Sequence, residues 1–455
     1  MRGMRVFLAT TVFLALFSIV AAADSDEIGA LRAENAALRE RLDKVEKQMQ
    51  DLLEMVQASK AASLTTDGKQ CASKATQPVA VAGPCKGCPE GKKPILSSID
   101  VDLYGFIKLD ASYDTSRTNA GNFARWVESE GLSRDDDQFN MTAKQTRLGL
   151  NLKGPSGGEI NTSGKIEIDF YGNGTENKPE PMLRHAYMTL DWPEHNISLL
   201  AGQTWDVISP LNPSTLNYSV NWWAGNIGYR RPQIRLTKRF DLENDVNVKF
   251  DIALARTIGR VSGFDPGDSG EDWKYPGIQT RLGFTVPFIN DRPATFGISG
   301  HYHKEEFDTD ASGHDKNFNS WSANLDATVP ITDWLTVKGE AFSGSNLDAY
   351  LGGIGQGVNL TEFDEYHSRG GWLAFNLGPW GKWKGSLGAS FEDLREEEIT
   401  DAAVRKLNRV FFANTMYSIN EKTSIGFELS NWFTQYYNLD DGNSTRFQTS
   451  FVYKF

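Results

Sequence analysis

The chain has 455 residues, a formal charge of −12 and a mean hydropathy of −0.43, yet 11% of it is aromatic and it carries 42 glycines. A soluble helical enzyme of this length would show a helical repeat over much of its sequence; here four-fifths of the chain shows none, which excludes that class.

Residues 1–23 read as a signal peptide. Arg2 and Arg5 supply positive charge, Val6 to Val20 form an apolar run, and Ala21-Ala22-Ala23 predicts cleavage before Asp24. A membrane anchor needs about twenty apolar residues, and this run is shorter. Residues 24–60 are expected to form a coiled coil. Ile28, Leu31, Leu38, Leu42, Val45, Met49, Leu52 and Val56 occupy a and d positions, with Asn35 at one a position. Glu34 and Arg39, and Arg41 and Glu46, are opposite in sign and face each other when helices lie parallel and in register, so the coil pairs identical chains; Asn35 suits a dimer or a trimer. Residues 61–99, rich in Ala, Ser, Gly, Lys and Pro, read as a linker. It holds Cys71, Cys85 and Cys88. No His follows the CxxC and no second CxxC exists, so disulfides are expected rather than a metal or redox site, the third thiol being free to cross-link subunits.

From about Asp100 the pattern changes to period two. In 101-VDLYGFIKLDASYD-114, Leu103, Ile107, Leu109 and Tyr113 alternate with Asp102, Lys108, Asp110 and Ser112. The same rhythm runs through 144–154, 164–172, 183–192, 196–205, 233–240, 246–257, 277–287, 295–304, 319–330, 335–345, 368–377, 383–393, 408–418, 423–434 and 445–455, which predicts sixteen strands. Long connections at 115–139, 206–231, 258–276 and 346–366 alternate with tight ones such as 154–158, 192–196, 240–245 and 418–422. The expected fold over 100–455 is therefore all-β: a sixteen-stranded antiparallel transmembrane β-barrel, preceded by the periplasmic parallel coiled coil. A soluble barrel would need an apolar interior, and sixteen strands enclose too wide a space to fill. Here the alternate face carries Lys108, Arg147, Glu167, Arg235, Arg281 and Glu340, so that face is expected to line water and the apolar face to meet lipid. Trp192, Trp334, Trp380 and Trp383 lie beside short turns, where an interfacial belt belongs. The last strand ends on Phe455 and resembles the closing signal of bacterial outer-membrane barrels.

The segments 103-LYGFIKLDASYD-114, 146-TRLGLNLKGP-155, 183-LRHAYMTL-190, 200-LAGQTWDVISPLNPSTLNYS-219 and 231-RPQIRL-236 resemble the DcaP-like trimeric outer-membrane porins. The resemblance spans roughly 101–455. It implies a homotrimer in the outer membrane of a Gram-negative bacterium, conducting small anionic organic acids such as dicarboxylates. The cysteine-bearing linker departs from that family's pattern.

In wide barrels the third long loop tends to fold inward, here about 206–231, with Trp222, Trp223 and Tyr229 as a plug against the wall. Arg230 and Arg231 close it, and Arg147, Arg235, Arg281 and Lys108 share the inward face. Guanidinium groups stay charged and grip carboxylates with paired hydrogen bonds, so these six are the expected constriction. The alternative for each is an ion pair with a luminal acid. No nucleophile and base arrangement accompanies the six histidines, so no enzyme activity is expected; His301 and His303 share a face without a third ligand, so neither metal nor cofactor is expected. The acidic runs 134-RDDD-137, 268-DSGEDW-273 and 396-EEEITD-401 read as solvated loop surface that divalent ions can bridge to lipopolysaccharide. Two other functions stay open: a phosphate-type or general porin, and a non-conducting barrel whose coil tethers it to peptidoglycan. No nucleic-acid partner is expected.

Overall fold

A computed structural model of the protein describes residues 99–133, 136–154, 158–259, 268–308 and 315–455. The expected signal peptide, coiled coil and cysteines lie outside the described residues.

Sixteen staves make one antiparallel sheet that closes on itself. They are β1 (Asp100–Asp114), β2 (Gln138–Thr142, continued as Arg147–Lys153), β3 (Asn161–Asp169), β4 (Met182–Trp192), β5 (Ile197–Trp205), β6 (Arg230–Asp241), β7 (Asn247–Ala255) and β8 (Gly277–Pro287). There follow β9 (Pro293–Asp308), β10 (Asp315–Pro330), β11 (Leu335–Ser345), β12 (His367–Trp380), β13 (Trp383–Leu394), β14 (Arg405–Ser418), β15 (Thr423–Tyr436) and β16 (Gly442–Lys454). Each pairs with the next, and β1 pairs with β16 from Phe106↔Lys454 to Asp114↔Arg446, so no edge is left open. In a membrane an unpaired edge would strand backbone N–H and C=O groups in hydrocarbon; closure removes that cost.

The apolar half of each alternating strand faces outward. Leu103, Leu325, Phe411, Phe427 and Phe447 are all exposed on the outer wall, where lipid replaces water. Short turns use residues that tolerate a left-handed backbone. Asn244 and Asp245 sit at φ 59° and 57° between β6 and β7, and Asn420 Oδ1 accepts from the Lys422 and Thr423 amides between β14 and β15. Beside these turns the rings of Trp334 and Trp380 lie 5.8 Å apart and those of Trp383 and Tyr417 4.8 Å apart, an aromatic girdle at the short-turn end.

Two irregularities reshape the inner wall. β2 is broken between Thr142 and Arg147. Asp110 pairs with Thr142 and Phe106 with Arg147, so β2 spends five steps against four on β1, one residue too many for a regular ladder. The extra residue is what brings Arg147 opposite Phe106. In β4 the register slips between Glu167↔His185 and Ile168↔Leu183, and the slip turns the adjacent side chains Arg184 and His185 both into the interior.

The interior is less watery than the alternation implies. Asp114, Asp169, Glu305 and Glu392 are completely buried, because loops fold back over them, and they are paired rather than hydrated. Arg446 and Asp114 form one such pair at 2.8 Å, with side chains 1% and 0% exposed. Arg446→Met is expected to lower the unfolding free energy in detergent by about 3–5 kcal/mol, because it leaves a buried carboxylate alone. Adding Asp114→Leu should restore most of the loss; a double variant as weak as the single one would refute this account.

Candidate pore constriction

Residues 206–229, the third long loop, cross the lumen, and inward carboxylates hold them there. Glu340 on β11 accepts the Leu211 amide at 2.7 Å, and Glu428 on β15 accepts the Leu216 amide at 2.6 Å. The Leu216 carbonyl takes hydrogen bonds from Lys108 Nζ and Gln448 Nε2, both at 3.0 Å. At the near end Gln279 Oε1 accepts the Val207 amide at 2.7 Å. Gly225, at φ +108°, lies so close to the wall that a Cβ would stand 2.4 Å from the Gly371 carbonyl oxygen, which only glycine avoids.

Around this crossing the loops over 115–133 and 346–366 pack as apolar clusters against β11 to β15. Trp126 meets Ile354, Leu394 and Val404; Val127 meets Ala224, Val410 and Trp432; Leu211 rests on Trp372, Ala374 and Phe412. The β11–β15 side of the lumen is thus filled. On the loop side lies a cavity of about 660 Å³, lined by Arg125, Trp126, Trp223, Tyr229 and Arg405 among others.

The β2–β6 side is polar and basic. Backbone pairing of β4 with β5 stops at Ala186↔Gln203, although both strands run on; beyond it side chains bridge the two, His185 Nδ1 lying 3.0 Å from Thr204 Oγ1 and Gln203 Nε2 donating to the Leu183 carbonyl at 2.7 Å. Trp205 and Arg230, paired at the end of the β5–β6 ladder, meet inward groups: the Trp205 ring lies 6.0 Å from Trp222 and 6.1 Å from His185, and the Arg184 guanidinium 5.8 Å away. Arg230 is buried between the rings of Trp205 and Tyr229, at 4.7 and 4.5 Å. Among the described residues neither of its Nη nitrogens finds a hydrogen-bond acceptor.

Carboxylates here are few and already engaged. Glu167 accepts from Tyr104 Oη at 2.7 Å and Arg184 Nε at 2.8 Å, with Arg147 Nε at 3.5 Å; Asp169 accepts from Arg184 Nη1 at 2.7 Å. Five cations, Arg147, Lys165, Arg184, Arg230 and Arg235, share this wall with those two acids. Arg184 and Arg230 stand within electrostatic range of Arg147, so each positive charge raises the cost of the next unless an anion is present. Tyr171 and Tyr218 stack at 3.7 Å, and burial pushes both phenols upward, so they remain neutral.

The six sequence-derived residues separate into two sets. Arg147, Arg230 and Arg235 join the basic wall; Arg235 is held by Gln233 Oε1 at 3.0 Å and the Trp205 carbonyl. Arg231 turns the other way into a buried pair with Asp206 at 2.7 Å, its guanidinium 3.8 Å over the Tyr350 ring. Arg281 donates from its Nε and Nη2 edge to the two carboxylate oxygens of Asp326, at 2.9 and 2.7 Å. Lys108 lies 3.2 Å from Asp110 besides anchoring Leu216. Arg184 was missed because strict alternation admits only one of two neighbours to the lumen. The signal was the adjacent polar pair Arg184-His185 inside an otherwise alternating strand, which marks a bulge.

Sixteen closed staves, an apolar outer wall and a basic luminal wall beside an inward loop define a membrane-spanning β-barrel with the porin fold. Among solved structures the chain is similar to the outer-membrane channel DcaP of Acinetobacter baumannii, with 20% identity over 79% of this chain and 98% of that one and a TM-score of 0.65. It is also similar to the anion-selective porin from Comamonas acidovorans, with 12% identity over 78% and 100% and a TM-score of 0.50. A third is OmpF of Salmonella typhi in complex with daunomycin, with 13% identity over 79% and 99% and a TM-score of 0.51. The likeness is one of fold. No protein-family model and no curated protein matches the chain.

Proposed function

We propose that the protein is a passive outer-membrane channel for small anionic solutes, organic acids with two carboxylates among them, and that it belongs with the DcaP-like porins. The observation that carries this reading is the basic wall of Arg147, Lys165, Arg184, Arg230 and Arg235, where Glu167 and Asp169 are already engaged by Arg184 and the two acids near Arg235, Asp206 and Asp251, are paired with Arg231 and Lys249. An anion passing between this wall and the third loop exchanges water for fixed guanidinium donors, which lowers its desolvation cost; a cation meets uncompensated repulsion. The named likeness of a DcaP channel and of an anion-selective porin supports the same direction. Reversal potential in a planar bilayer under asymmetric salt tests it: anion preference is expected, and cation preference or absence of preference would refute it.

The apolar clusters on the β11–β15 side favour one second reading, a barrel that tethers the envelope without conducting. It predicts silence in the same bilayer.

The heptads of residues 24–60 add to an association that the barrels mostly supply. We expect a heat-sensitive homotrimer in mild detergent, weakened but still folded as a barrel after deletion of 24–60. Sedimentation of the intact protein as a monomer at every concentration would sink this expectation.

A further inference from the structure

The outer wall should be apolar between the rims, and near the long-loop rim charged residues interrupt it, Lys304 and Glu306 on β9 and a second group on β12 to β14. Arg369 on β12 pairs across the sheet with Asp393 on β13, and Arg409 on β14 pairs with Phe391; all belong to the outward-facing alternation that includes Leu373 and Phe411. A cavity of about 510 Å³ opens beside Arg369, lined also by Asp393, Arg395, Glu396, Glu397 and Lys406; Arg395 and Lys406 are paired there with Glu398 and Glu396, which leaves Arg369, and Arg409 outside the cavity, as the cations available to a ligand.

The Arg369 side chain is 74% exposed. Asp393 meets it through one oxygen only, on the Nε and Nη2 edge at 3.3 and 3.0 Å, and Nη1 makes no hydrogen bond to a described residue. Arg409 is exposed with its guanidinium 4.3 Å over the Phe433 ring, and no carboxylate of a described residue lies within ion-pair distance of it. Directly toward the membrane middle lie Leu373, Phe391 and Phe411, each about half exposed. A lipid-facing arginine near the interface is tolerated when a headgroup phosphate answers it, since phosphate fits the planar fork with two hydrogen bonds. The apolar strip below continues the lipid-facing belt, so an occupant must be charged at the rim and greasy beneath.

We propose that this patch is a binding site for a phosphate-bearing lipid of the outer leaflet, its phosphates on Arg369 and Arg409 and its acyl chains along Leu373, Phe391 and Phe411. The site is separate from the lumen and stands or falls independently of the channel reading.

The test uses the full-length protein in mild detergent, exposed to phosphatidylcholine vesicles carrying a diphosphorylated glucosamine lipid or its dephosphorylated form, with retained lipid counted by native mass spectrometry. Selective retention of the phosphorylated lipid is expected. Arg369→Gln with Arg409→Gln should reduce retention at least about tenfold, each charge-assisted bond being worth about that much. Both side chains point outward, so folding is not at stake, and Arg256→Gln, on an exposed loop elsewhere, should change nothing. Equal retention of the two lipids, or an undiminished count in the double variant, overturns the proposal. Full displacement by inorganic phosphate of a lipid held without regard to its acyl chains would assign the arginines to free phosphate and likewise overturn it. A second protein copy, seen as a dimer lost with the double variant while lipid retention stays constant, would overturn it as well.

Discussion

Replacing Glu340 and Glu428 together by Ala is expected to convert a quiet, narrow channel into a noisy and wider one. Each carboxylate accepts a backbone amide of the third loop, from Leu211 and Leu216. A buried amide left without its acceptor costs about 1–3 kcal/mol, so removing both takes away roughly 2–6 kcal/mol from the seated loop. The remaining anchors are Gln279 at one end, the Lys108 and Gln448 bonds to the Leu216 carbonyl, and Leu211 in its apolar seat. An equilibrium shifted by that much populates displaced conformers, and mean single-channel conductance should rise at least about twofold with new open-level noise. Single-channel recording decides the matter. Unchanged conductance and noise in a correctly closed barrel would mean that the apolar seat alone holds the loop.

Selectivity should respond to a different set. Arg147→Gln, Arg230→Gln and Arg235→Gln together remove three of the five cations on the β2–β6 wall and leave Glu167 and Asp169 with Arg184 and Lys165. Two charges 4 Å apart interact by about 4 kcal/mol at an effective dielectric constant near 20, and a change of 1.4 kcal/mol is already tenfold. The anion-to-cation permeability ratio should therefore fall by about tenfold or more, and block of current by succinate should weaken in parallel. The net charge of −12 does not oppose this, because loop acids more than a Debye length of about 8 Å away are screened at physiological salt. Arg281 provides the contrast. Arg281→Gln alone strips Asp326 of its partner and should also favour cations, whereas Arg281→Gln with Asp326→Asn removes a neutral pair and should leave selectivity where it was. If the triple variant of the basic wall keeps its reversal potential while still folding, these arginines serve only the architecture.

What the sequence by itself determined was everything that depends on neighbours along the chain. A period of two assigns each strand an apolar and a polar face, glycine, asparagine and proline mark the turns, and the sum of these local facts is a sixteen-stranded barrel with tight turns at one end and long loops at the other. Only the tertiary structure decided which polar residues meet. Glu340 and Leu211 are 129 positions apart, Glu428 and Leu216 are 212 apart, and Arg446 and Asp114 are 332 apart. Alternation told that these side chains point inward; it carried no information on which loop folds over them, so carboxylates that looked like a wetted lining turned out to be loop anchors. Arg281 and Arg231 looked like pore charges for the same reason, until Asp326 and Asp206 were found across from them. Arg184 and Arg147 owe their places to single extra residues in β4 and β2, and a bulge moves the facing of all that follows it by one step. Facing is a local property with a fixed period, whereas pairing and register are set by whichever strand or loop arrives opposite, and that is decided only when the barrel closes.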